Sequence, residues 1–263
     1  MRIALKLEYD GSAFAGWQRQ PGQRTVQQEV EAALSQVADH PVAVTCAGRT
    51  DAGVHALGQV VHFDTGACRP DHAWLLGGNS HLPDDVALRA AQPVSDDFHA
   101  RFSAVRRCYL YRILNRRTRP AVERHLAWWV RSPLDEERMA SAASRLLGEH
   151  DFSSFRAAEC QAQHAVRTLY RLDVSRVGDE LRLLVEANAF LHHMVRNLAG
   201  VLVAVGSGRR EPEWAAAVLA ARDRTAAAVT APPQGLCLIG VTYPGRYGLQ
   251  AWSTQVSAGE RLC

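Results

Sequence analysis

The sequence predicts an α+β fold built as two related lobes, each with an antiparallel or mixed sheet flanked by helices. Two observations lead there. Apolar patterns of period two and period 3.6 follow one another as β-α-β-β-α-β in the first half, and a comparable mix returns in the second without visible sequence identity. No G-x-G-x-x-G occurs, and strands such as 2–9 and 181–187 alternate apolar with polar residues, which suits half-buried antiparallel strands better than a dinucleotide-binding parallel sheet. The 263 residues admit one large domain or two modest ones. The expected division is a lobe at 1–103, a second at 104–245 and a loosely ordered tail at 246–263, where periodicity is weak. No low-complexity linker separates the lobes, so they are expected to pack as one unit around a cleft.

In order along the chain, Ile3, Leu5, Leu7 and Tyr9 alternate with Arg2, Lys6 and Glu8 as a first strand. Asp10-Gly11 opens a loop through Phe14, Gly16, Trp17 and Gln18 to Pro21-Gly22. Thr25 with Gln28 reads as a capping box for a helix whose stripe is Val26, Val30, Ala33, Leu34 and Val37. Strands are expected at Val42–Ala47 and Leu57–Phe63, a helix around Asp71–Leu76 and a strand at Val86–Ala91. The second series has a strand at Tyr109–Leu114, an apolar patch at Leu126–Val130 and a helix at Asp135–Leu147 stopped by Gly148. Strands follow at Leu169–Ser175 and Leu181–Ala189. A helix then carries Phe190, Met194, Leu198, Val201, Leu202 and Val205 on one face, before a helix at Glu213–Ala221 and a strand at Leu236–Tyr243.

Cys46-Ala-Gly-Arg-Thr-Asp-Ala-Gly-Val-His-Ala56 concentrates the chemistry. It puts the carboxylate of Asp51 between Gly48 and Gly53, on a connection between two strands. Glycines there permit backbone conformations that a β-carbon forbids and let another molecule approach closely. In isolation such a segment is a turn capped by its aspartate. With Arg49 two residues away holding it ionised, the same carboxylate can serve as nucleophile or base.

Charge is informative in its distribution. The net charge is +3, yet seven arginines and no acid lie between Arg101 and Arg119, interleaved with Tyr109 and Tyr111. Such a stretch is either a solvated charged face or a surface for phosphate contact and base stacking. On helix 190–205, His193, Arg196, Asn197 and Gly200 recur on a face separate from the apolar stripe. That face is either the solvated side or one against which something packs closely, since Gly200 costs about 1 kcal/mol relative to Ala in a helix.

Other chemistries find little support. The six cysteines are far apart without a C-x-x-C pair, and His55, His62, His192 and His193 lack the spacing of a metal motif, so no metal is expected. Gly206-Ser-Gly-Arg-Arg210 follows a helix and lacks the G-K-[ST] ending of a phosphate loop, and no G-x-S-x-G is present. No cofactor motif occurs, so no cofactor is expected. The N-terminus lacks a signal-peptide pattern and no apolar run has membrane-spanning length, so a cytoplasmic, membrane-free protein is expected.

A set of segments gives a sharper reading. Tyr9-Asp-Gly-Ser-Ala-Phe-Ala-Gly-Trp-Gln-Arg-Gln20, Ala47-Gly-Arg-Thr-Asp-Ala-Gly-Val-His-Ala56, Phe98-His-Ala-Arg-Phe-Ser-Ala104, Arg107-Cys-Tyr-Leu-Tyr111, Asp151-Phe-Ser-Ser-Phe155, Phe190-Leu-His-His-Met-Val-Arg196 and Ala231-Pro-Pro-Gln-Gly-Leu236 occur in order over roughly residues 1–245. Together they resemble the bacterial tRNA pseudouridine synthase A (TruA) family, Cys108 and His192 standing where other residues are usual.

That resemblance implies the pseudouridine synthase fold with a basic cleft, a homodimer and an isomerase acting on uridines of the tRNA anticodon stem-loop, positions 38 to 40. It implies Asp51 as the nucleophile, at uracil C6 or ribose C1′. Tyr109 would pack on the target uracil, Arg49 would fill the space the flipped nucleotide leaves, Arg196 would pair with Asp51, and Leu236 would line the uracil pocket. Isomerisation is redox-neutral, which agrees with the missing cofactor motif. A non-catalytic tRNA-binding protein of the same fold is the alternative. A metal-dependent nuclease would need clustered carboxylates, which the sequence lacks.

Overall fold

A computed structural model describes residues 1–160 and 162–252. The chain divides into two compact units, one formed by Met1–Arg106 with a return segment that begins at Cys237, the other by Arg107–Leu236. Residues 237–245, expected in the second lobe, therefore belong with the first. No helix of the described residues is long and apolar enough to cross a membrane.

In the first unit β1 (Arg2–Tyr9) lies between β3 (His55–Asp64) and β4 (Val86–Val94), antiparallel to both, with Leu5 opposite Val61 on one side and Ala91 on the other. The far edge of β3 carries two short partners. β2 (Thr45–Cys46) pairs antiparallel at His62 and Val61, while β10 (Leu236–Thr242) pairs parallel at His55 and Ala56. Apart from Leu57 and the terminal Asp64, β3 is buried throughout, as expected of a strand covered on both faces.

The helices α1 (Val26–Ala38) and α2 (Asp71–His81) pack on this sheet through Val30, Leu34 and Trp74, whose indole meets Phe63 edge-on at 5.1 Å between ring centroids. Thr25 is the N-cap of α1 as the sequence suggests, but its side chain makes no capping hydrogen bond, so the capping box does not form. Elsewhere in the unit, Phe98 packs against His62, Tyr243 and Tyr247 at centroid separations of 5.9, 5.0 and 5.1 Å. The tail expected to be loosely ordered is packed where it begins. Tyr247 and Trp252 are buried on two short 3₁₀ turns and Leu249 is buried between them, an arrangement with no long period for a sequence reading to detect. Residues 253–263 of that expectation lie outside the described residues.

In the second unit β5 (Arg106–Asn115), β9 (Glu180–Ala187), β8 (Val166–Val177) and β7 (Gly148–Asp151) form an antiparallel series in that order, and β6 (Trp128–Val130) runs parallel to the end of β5. Its helices are α3 (Glu136–Ser144), α4 (Met194–Gly206) and α5 (Trp214–Ala221). Within α4 only Arg196 escapes full burial, making it the core helix of the unit. The Asp135 side chain caps α3 by accepting from the Arg138 N–H at 3.0 Å. Gly148 does not merely stop a helix: with φ +102° it turns the chain into β7.

Candidate active site

The Asp51 turn belongs to the first unit and is fastened from several sides. The Asp51 carbonyl accepts from the Val54 N–H at 3.2 Å, closing a tight turn in which Gly53 takes φ +77°. On one flank the Gln59 side-chain amide donates to the Gly48 carbonyl at 2.7 Å. On the other, the buried Tyr9 hydroxyl lies 2.8 Å from the Thr50 hydroxyl. The β1 and β3 strands thus hold both shoulders of the turn, and the Asp51 side chain is half-buried at its apex.

The loop after β1 completes the mounting. Trp17 donates its N–H to the Thr50 carbonyl at 2.9 Å, and its indole is buried 6.0 Å from the Tyr9 ring. Gly16 has φ +99°, and a β-carbon there would stand 2.8 Å from the Thr50 carbonyl oxygen and 3.1 Å from the Asp51 carbonyl carbon. No other residue fits without moving the turn. In the sequence Gly16 and Trp17 stand in a loop and in one of the segments carrying the family resemblance, without an assigned role; the positive φ of one and the backbone donor of the other depend on a partner some 35 residues away in sequence, which no local pattern records.

Arg49 is exposed beside this turn. Its charge reaches Cys46, whose thiol burial pushes up to about 12 while Arg49 and Arg101 pull the other way.

In the second unit Arg196 is bonded to the segment 231–236 and Leu236 ends it, while Tyr109 lies on β5 two residues from Tyr111, which also reaches that segment. Tyr109 lies buried on β5 opposite Val185, with Phe190 edge-on at 5.0 Å. Two residues along the same strand face, Tyr111 donates its hydroxyl to the Pro232 carbonyl at 2.7 Å. Burial raises the Tyr111 phenol far above its usual range, partly countered by the Arg196 charge, so it remains a donor. Arg196 opens α4 and reciprocates with Ala231: its Nε donates to the Ala231 carbonyl at 2.8 Å, and the Ala231 N–H donates to the Arg196 carbonyl at 3.2 Å. Leu236, buried, begins β10 at the end of this segment. His193, just before α4, takes a left-handed conformation at φ +61°, so the helix starts at Met194 rather than Phe190.

The polar face of α4 is packed, not solvated. Asn197 is fully buried, donates to the Phe155 carbonyl at 2.8 Å, and accepts from Thr230 at 2.7 Å and Arg224 at 3.0 Å. Gly200 lies under the same strap, where a β-carbon would come 2.2 Å from the Val229 carbonyl oxygen. Asn197 therefore ties the 151–155 segment and the 224–230 strap to the helix that carries Arg196. Its role was invisible in the sequence, where it stood only as one member of a polar stripe.

Chemically, the first unit supplies a carboxylate on a rigid apex. The second supplies a buried tyrosine and a buried leucine, and a guanidinium held on the Ala231 carbonyl.

A family model described as tRNA pseudouridine synthase matches residues 6–103 and 142–244. Curated relatives named tRNA pseudouridine synthase A are similar over nearly their whole length. The protein of Methylococcus capsulatus is 57% identical over 249 residues, 95% of this chain and 92% of the relative. That of Coxiella burnetii is 55% identical over 248 residues, 94% of this chain and 95% of the relative. That of Nitrosococcus oceani is 55% identical over 257 residues, 98% of this chain and 99% of the relative.

Proposed function

The chain belongs to the tRNA pseudouridine synthase family, and on that premise we propose that it isomerises uridine to pseudouridine in the anticodon stem-loop of tRNA, at positions 38 to 40, with Asp51 as nucleophile. The observation that carries this reading is the mounting of Asp51: a half-buried carboxylate at the apex of a turn braced by Gly16, Trp17, Tyr9 and Gln59. A carboxylate that only capped its own turn would not need that support.

In the reaction, the Asp51 carboxylate attacks either ribose C1′, expelling uracil with the N1–C1′ electron pair, or uracil C6, which also loosens that bond. The base turns and C5 bonds to C1′; the Asp51 carboxylate leaves with its bonding electron pair, displaced from C1′ by C5 on the first route or eliminated from C6 on the second, and the C5 proton is lost while N1 gains one. Atoms and electrons balance without an oxidant, reductant or second substrate. A stacked uridine must first leave its helix, at a cost of a few kcal/mol, and stacking on an aromatic returns about 1–3 kcal/mol. Tyr109 and Leu236 are proposed to receive the swung-out uracil, Arg196 to pair with Asp51, and Arg49 to occupy the vacated position in the stem. The reciprocal bonds between Arg196 and Ala231 support a fixed role for that guanidinium. A homodimer working in the cytoplasm is part of the same reading.

The test is incubation of pure protein with an unmodified tRNA transcript in EDTA, followed by mapping of pseudouridine at each nucleotide. Product at positions 38 to 40 is expected, and no product on any tRNA overturns the proposal. A tRNA-binding protein without activity, the alternative, would bind the transcript and leave every uridine unchanged.

A further inference from the structure

The segment Phe98–Ala104 takes no part in the chemistry above, yet it presents one of the most exposed large apolar side chains described. Phe102 is 76% exposed, while Phe98 and Ala100 of the same segment are fully buried. Its ring is not loose. The His99 imidazole lies against it at 4.3 Å between centroids and 30° between planes, and the His62 ring backs His99 at 4.9 Å.

The turn beneath is fixed by its own hydrogen bonds. His99 Nδ1 accepts from the N–H groups of Arg101 and Phe102, each at 3.2 Å, the Ser103 hydroxyl accepts from the His99 N–H at 3.0 Å, and the Ser103 N–H returns to the His99 carbonyl at 2.9 Å. Burial keeps His99 below the usual imidazole range, so the ring supporting Phe102 is neutral at pH 7.

From this geometry we infer that Phe102, backed by His99 and flanked by Arg101, is a stacking platform for an unpaired nucleobase of the RNA substrate. A rigid, solvent-facing aromatic loses little conformational freedom when a base settles on it, and such stacking accepts any base because every base has a π face. The Arg101 guanidinium lies 5.6 Å from the Phe102 centroid, and a cation there suits the phosphate next to a stacked base. Upstream, the Asp97 carboxylate is engaged by Ser95 and Tyr247.

Position ties the platform to the proposed nucleophile. The Ala100 N–H donates to His62 Nδ1 at 3.1 Å, and His62 pairs in register with Thr45, beside Cys46, where the chain leaves β2 for the Asp51 turn. The charges of Arg101 and Arg49 act together on Cys46. The same unit thus carries Asp51 and, along the strand leading into its turn, a second place to grip the RNA.

The inference rests on the RNA substrate proposed above, so its test reads affinity separately from product. The full chain carrying Phe102→Ala, Phe102→Leu or Phe102→Trp is titrated against unmodified tRNA transcript at fixed salt, and pseudouridine is mapped for the parent. The platform predicts that Ala and Leu each weaken tRNA binding by roughly 5- to 100-fold while Trp binds within about threefold of the parent. Leu keeps an apolar side chain, so its failure to rescue separates stacking from burial. Binding of Phe102→Ala within twofold of the parent overturns the inference, as does full rescue by Leu. A change of oligomeric state in Phe102→Ala by sedimentation, with tRNA affinity unchanged, would put a protein partner on this surface and overturn it equally. A parent that binds tRNA through Phe102 but forms no pseudouridine would leave the platform standing and remove the proposed reaction.

Discussion

The Trp17 N–H donates to the Thr50 carbonyl at 2.9 Å, so the loop after the first strand holds the residue immediately before Asp51. Trp17 is itself immobilised, fully buried against Tyr9, whose hydroxyl meets the Thr50 side chain. The aspartate therefore stands on a turn whose backbone and side chain are both braced, which is the preorganisation a positioned nucleophile requires.

Gly16→Ala tests that brace. The substitution forces an alanine into φ +99° and a β-carbon to 2.8 Å from the Thr50 carbonyl oxygen, so the Asp51 turn must shift. Single-turnover pseudouridine formation should fall roughly 10- to 100-fold, with unfolding free energy lower by about 1–2 kcal/mol. A rate within twofold of the parent would show that the turn tolerates displacement.

Asn197→Leu tests the node under Arg196. It removes the acceptor of Thr230 and Arg224 and the donor to the Phe155 carbonyl, leaving buried partners unpaired. Denaturant unfolding should show a loss of about 2–4 kcal/mol. A loss below about 0.5 kcal/mol would mean that the strap at 224–230 holds itself in place.

Gly200→Ala separates helix propensity from packing. In a solvated face the change would add up to about 1 kcal/mol of stability. Here the new β-carbon meets the Val229 carbonyl oxygen at 2.2 Å, so the variant should instead lose about 1–3 kcal/mol. Its melting temperature decides between the two outcomes by sign alone.

His62 gives a pH dependence. Burial, with the Arg2 charge, lowers its pKa to about 4, and its Nδ1 accepts from the Ala100 N–H, which requires the neutral ring. Between the unfolded value near 6.5 and about 4 the unfolded chain binds the extra proton, so folding stability falls as pH drops through that window and is unaffected by this group above it. The loss should reach roughly 1–2 kcal/mol after allowance for screening. A His62→Gln variant, compared with the parent by denaturant titration at pH 7.5 and pH 4.5, should lack this component. Equal pH slopes for the two proteins would assign the acid sensitivity elsewhere.

What the sequence revealed and what it hid differ for physical reasons. The Gly-flanked Asp51 turn was legible because turn chemistry is local. The strand expected at Val42–Ala47 shrinks to Thr45–Cys46 because the Val42 N–H goes to the Ser35 hydroxyl and the Val44 N–H to the Glu31 carboxylate, partners that apolar periodicity does not record. β7, with Glu149, His150 and Asp151, offers no apolar alternation and exists as an edge strand by pairing with β8. The return of 237 onward to the first unit is a long-range parallel pairing of Cys237 with His55, again without a local signature. The packed face of α4 could not be told from a solvated one, since its neighbours, Thr230 and Val229, lie some 30 residues further along the chain.

The most direct test of the central claim is single-turnover conversion of a saturating, unmodified tRNA transcript by the parent and by Asp51→Asn, with tRNA affinity measured in parallel. Asn keeps the size and the turn while removing the anionic oxygen. The account predicts no pseudouridine from Asp51→Asn at any nucleotide, with tRNA bound within a few-fold of the parent. Pseudouridine formed by Asp51→Asn at a rate comparable to the parent's would contradict it.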